Sequence, residues 1–125
     1  MQKNRPVNLD LTTMRFPVTA IASILHRASG VLLFIVIPVL LWWLSATLNS
    51  EQQFIALTSF FKSAFGKSLV WLVLSALFYH GIMGIKHLFM DIGFFEEKCS
   101  AKVATLTGLT AFVAIVVLMG VWLWV

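Results

Sequence analysis

Thiol chemistry is all but absent from this chain. Cys99 is its only cysteine, which excludes an internal disulfide and a cysteine-rich metal site. Charge is nearly as scarce: Asp, Glu, Lys and Arg make up 11 % of 125 residues, against about 25 % in a typical soluble domain. With 60 % of the chain hydrophobic, a water-soluble globule is excluded. The apolar runs are also too long for ordinary core helices, and no room remains for a separate soluble domain. No cleavable signal peptide is expected, because polar residues 1–15 precede the first apolar run. No internal repeat is visible, and nothing matches the paired inverted halves of a transporter.

What is present is an all-α integral membrane protein with three spans. Residues 1–18 are expected to form a cytoplasmic N-terminal segment. Residues 19–125 form the membrane domain, with spans at about 23–48, 66–90 and 103–125. Pro17 suits the start of the first helix or the turn before it. Pro38 falls inside that span, where a kink is tolerated if neighbours satisfy the freed carbonyl. Residues 54–66 mix Phe60, Phe61 and Phe65 with Lys62, as an amphipathic lead-in lying in the interface would. Trp42, Trp43, Trp122 and Trp124 fall near span ends, where an aromatic belt belongs.

The nine basic residues give a net charge of +4. They flank the spans, so lipid headgroups and topology explain them better than nucleic acid does. Lys3, Arg5, Arg15, Arg27, Lys86, Lys98 and Lys102 fall on the side of the N-terminus and the second loop. Lys62 and Lys67 fall opposite. Seven against two puts the N-terminus in the cytoplasm and the C-terminus in the periplasm of a bacterial inner membrane.

The chemistry concentrates in two polar patches. Ser23, His26, Arg27 and Gly30 recur at i, i+3, i+4 and i+7 and share one helix face. The fork of Arg27 suits a carboxylate or propionate, although an interfacial Arg also snorkels to lipid phosphate. The second patch, Tyr79-His80-Gly81-Ile82-Met83-Gly84-Ile85-Lys86-His87, sets a histidine inside hydrocarbon. An imidazole is costly there, so His80 is expected to be held. A haem, a structural hydrogen bond and a proton or ion pathway all remain open for it. Gly84 removes a side chain beside His80, leaving room for a flat macrocycle. His87 shares the helix face of His80, so the pair cannot clamp opposite sides of one haem. His26 lies on another helix but at the wrong depth. A second axial ligand would therefore come from a partner subunit. The small residues Ser75, Ala76, Gly81 and Gly84 allow close helix contact. Asp91, four residues past His87, suits a proton relay or a solvated helix end. The run Arg5-Pro6-Val7-Asn8-Leu9-Asp10-Leu11 suits docking to a soluble partner.

These patches resemble the cytochrome b subunit of succinate dehydrogenase, the larger membrane anchor of respiratory complex II. The resemblance is carried by the 5–11 run, Arg15-Phe16-Pro17, Ser23-Ile24-Leu25-His26-Arg27-Ala28-Ser29-Gly30, and Tyr79 through Asp91. It implies a heteromeric haem-binding bundle in which His80 is an axial ligand of haem b and a second, smaller anchor supplies the other histidine. It implies that Ser23 and Arg27 bind ubiquinone, that His26 and Arg27 lie near the haem propionates, and that Asp91 lies near the quinone region. The implied partners are an iron–sulfur subunit and a flavoprotein subunit. The chain would not be catalytic alone. Two other readings stand beside it: a cofactor-free structural anchor, and the anchor of a quinol:fumarate reductase.

Overall fold

A computed structural model describes residues 13–125; the 5–11 run lies outside them. The described residues form four helices, α1 (Val18–Asn49), α2 (Glu51–Lys62), α3 (Ala64–Asp91) and α4 (Lys98–Trp124). Three of them, α1, α3 and α4, are long and apolar enough to cross a membrane. At 32 residues, α1 is about 48 Å long, well beyond a hydrocarbon core of about 30 Å. Its polar end therefore reaches past the apolar layer.

Local sequence explains the boundaries. Pro17 is the N-cap of α1, and its carbonyl accepts from Ala20 N and Ile21 N at 3.0 and 3.2 Å. Pro38 lies inside α1 without ending it. The amphipathic lead-in is a helix of its own, with Glu51 in its first turn, Lys62 in its last and no buried residue. Those charges match the ends of the helix dipole. Ser63 then serves two helices. Its hydroxyl donates to Phe60 O at 2.6 Å and accepts from Gly66 N at 3.0 Å. A side chain at Gly66 would collide with the Phe60 carbonyl, so the α2–α3 corner requires glycine. Residues 98–102, expected as part of the connection, are already helical.

Helix α3 is the central element and packs along both α1 and α4. Tyr79 and Met83 of α3 are buried with Ala22 of α1, and Ile82, Leu109 and Phe112 pack against them. The Tyr79 hydroxyl donates to Ala22 O at 3.0 Å, and the Phe112 ring meets Tyr79 edge-on at 5.1 Å. Gly108 lets Met83 come close to α4. Toward the other end, Trp71 Nε1 donates to Val116 O at 3.0 Å. These interhelical bonds satisfy polar groups that lipid would leave unpaired.

Most large apolar side chains face outward, among them Phe34, Leu118 and Trp122. That inversion of a soluble protein is what a lipid solvent and neighbouring helices require. Lys86, one of the charges near the end of α3, is 8 % exposed. Ile82, Ile85, Phe89 and Val103 line the crevice beside it.

Candidate functional site

The first polar patch rides on α1 and the second on α3, and their meeting builds the site. The rings of His26 and His80 stack, with centroids 4.1 Å apart and planes 14° from parallel. Each lies against a glycine of the opposite helix. A Cβ at Gly30 would sit 2.9 Å from His80 Cε1, and one at Gly84 would sit 3.4 Å from His26 Nε2. The two glycines thus let the helices close until the imidazoles overlap.

This corrects two expectations. His26 is level with His80, not displaced in depth, because the reciprocal glycine contacts set the α1–α3 register. The space beside Gly84 is taken by His26 and is not a vacancy for a macrocycle. The open position is Gly81, where a Cβ would meet nothing within 4 Å. The other small residues, Ser75 and Ala76, line a crevice shared with Leu25, Ala28, Ser29 and Leu32 of α1.

His80 is anchored through one ring nitrogen. Its Nδ1 lies 3.1 Å from His26 O and 3.1 Å from Ser29 Oγ. The Ser29 hydroxyl donates to His26 O at 2.7 Å. Ser29 is buried and lies off the 23–26–27–30 face, so the polar strip does not point to it. Its signal was its place three residues after His26, from which a helical serine reaches back to the carbonyl. His87 leans on His26, with ring centroids 5.1 Å apart and planes inclined by 50°. His26 Nε2 is buried and has no hydrogen-bond partner among the described residues.

The other expected residues lie apart from this stack. Ser23 is half-buried and Arg27 exposed, one turn apart on α1. The 23–26–27–30 strip is therefore divided: His26 and Gly30 turn into α3 while Arg27 faces out. Asp91 is exposed at the last position of α3.

Could these residues hold a metal centre? Among the described residues, no three His, Cys, Asp or Glu side chains converge to cage an ion. Ring lone pairs lie in the ring plane, so two stacked imidazoles direct theirs alongside one another and cannot grip one iron between them. The set fits a metal that brings most of its own ligands and takes a single imidazole from this chain, as a porphyrin iron does. The open face at Gly81 and the orphaned His26 Nε2 suit a polar-edged macrocycle nearby.

The family model for the succinate dehydrogenase/fumarate reductase transmembrane subunit matches residues 1–122. A succinate dehydrogenase cytochrome b556 subunit of Coxiella burnetii is 39 % identical over 125 residues, covering 99 % of this chain and 100 % of the relative. Its counterpart in Rickettsia conorii is 35 % identical over 121 residues, 97 % of this chain and 91 % of the relative. A cytochrome b560 subunit of Marchantia polymorpha is 36 % identical over 102 residues, 78 % of this chain and 74 % of the relative. Three spans, the paired histidine helices and a family match over almost the full length together make this chain a member of the succinate dehydrogenase/fumarate reductase cytochrome b-type membrane anchor family.

Proposed function

We propose that the chain is the larger anchor of a succinate:ubiquinone oxidoreductase, sharing one haem b with a second, smaller anchor subunit. His80 would hold the haem iron from this chain, and the partner anchor would supply the second histidine. The observation that carries this is the anchoring of His80 through Nδ1, with Nε2 left unbonded among the described residues. The stacking of His26 on His80 supports a second ligand from outside the chain, since the two rings cannot flank one iron. The haem, when bound, supplies one-electron redox chemistry near the quinone.

The reaction is divided among subunits. A flavoprotein takes two electrons and two protons from succinate, giving fumarate. An iron–sulfur subunit carries the electrons to ubiquinone, which gains two electrons and two protons and becomes ubiquinol. Ser23 donates a hydrogen bond to a quinone oxygen. Arg27 stabilises negative charge growing on that oxygen and tethers a haem propionate, with His26 near the same edge. A fixed cation acts most strongly where lipid and protein exclude water. Asp91, exposed at the end of α3, lies on the route by which protons reach the site. The N-terminus faces the cytoplasm and the C-terminus the periplasm of a bacterial inner membrane. The names of the b556 relatives support succinate oxidation over the reverse, quinol:fumarate reductase direction.

The test is a reduced-minus-oxidised spectrum of the purified complex carrying His80→Leu. Loss of the b-type bands with the four subunits still assembled is the expected result. Unchanged bands and haem content would remove His80 from the ligand role and favour a cofactor-free anchor.

A further inference from the structure

A histidine that binds iron must present one nitrogen with a free lone pair, and the hydrogen bond at its other nitrogen decides which one that is. In His80 the decision can be followed proton by proton. A carbonyl oxygen only accepts, so the 3.1 Å contact to His26 O requires a proton on Nδ1. Ser29 Oγ, also 3.1 Å away, offers either a proton or a lone pair. Its single proton is directed to His26 O at 2.7 Å, which leaves a lone pair facing Nδ1. Both neighbours of Nδ1 are therefore acceptors. The imidazole is locked with its proton on Nδ1 and its free lone pair on Nε2.

Resting on the haem reading above, we infer that Ser29 is a positioning residue which, with the His26 carbonyl, fixes the tautomer of His80 and tunes the iron that His80 binds. Ser29 is itself 9 % exposed, packed between the two helices. Two acceptors on one N–H draw the proton outward and make the imidazole a stronger electron donor. A stronger donor favours the oxidised iron. Removing the serine oxygen leaves one acceptor and should raise the midpoint potential of the haem. Threonine keeps the hydroxyl and, in a helix, the same reach to a preceding carbonyl. Its extra methyl has room in the crevice of about 360 Å³ lined by Leu25, Leu32, Ser75 and Phe112.

The experiment uses the intact purified complex with Ser29→Ala, Ser29→Thr and Ser29→Cys. Two quantities are read: the haem midpoint potential by redox titration, and the imidazole N–H band in redox-induced infrared difference spectra with labelled histidine. Ser29→Ala should shift the potential upward and move the band toward a weaker hydrogen bond, and Ser29→Thr should restore both. Should the alanine complex fail to assemble, Ser29→Cys carries the same expectation, because a thiol is a poor acceptor. Bound haem with potential and band unchanged, or a downward shift, overturns the role of Ser29. His80→Leu runs in parallel: retention of haem there defeats the ligand assignment itself, and so separates the two failures.

Discussion

His26 and His80, from helices that approach through glycine, stack face to face 4.1 Å apart. The contact joins the two polar patches into one site. It also fixes the register of α1 on α3, since sliding either helix by a turn would bring a glycine out from under an imidazole. Several consequences can be measured.

Gly30→Ala should disturb His80 directly. The added methyl would lie 2.9 Å from Cε1, and the ring cannot swing away without giving up its Nδ1 bonds. Overpacking of this kind typically costs about 1–3 kcal/mol. Haem-to-protein ratio and thermal stability in detergent should both fall, and an alanine variant with wild-type values for both would refute the close fit.

His26→Ala should act differently from a change at His80. The stacked ring cannot ligate the same iron, so the variant should keep most of its haem. Haem loss as complete as in His80→Leu would give His26 a ligand's part and contradict the account.

Arg27→Leu should reduce quinone turnover more than assembly, because the side chain is exposed and supports no packed core. Losing a fixed donor to developing charge typically costs about 100-fold in rate. A quinone titration checks it, and normal turnover across that titration would remove Arg27 from the site.

Tyr79→Phe tests the packing beneath the site. It deletes the hydroxyl that donates to Ala22 O at 3.0 Å and leaves the edge contact with Phe112. Interhelical hydrogen bonds in membranes contribute about 1 kcal/mol, so stability should drop by that order with haem still bound. An unchanged denaturation midpoint would show the bond to be without net effect.

The three spans were legible because length and apolarity alone define them: a run such as 103–125 has no other economical place than a bilayer. The lead-in helix was legible from its mix of Phe60, Phe61 and Lys62. His80 stood out because an imidazole in hydrocarbon needs a reason. What one helix at a time could not reveal was the register between helices. Periodicity put Ser23, His26, Arg27 and Gly30 on one face, yet α3 covers only the His26–Gly30 part of it. The level of His26 depended on Gly30 and Gly84 acting across the interface, and the work of Ser29 depended on a carbonyl that no sequence pattern displays. The burial of Lys86 was not legible, because a lysine stem can be covered by a neighbouring helix while its sequence neighbours look like a span end.

The most direct measurement is a structure of the assembled complex at a resolution that shows the surroundings of His80. The account predicts continuous density from His80 Nε2 to the iron of a porphyrin, a histidine of a neighbouring subunit on the opposite face, and Nδ1 still held by His26 O and Ser29 Oγ. Density showing Nε2 bonded only to protein or water, with no macrocycle in reach, would contradict it.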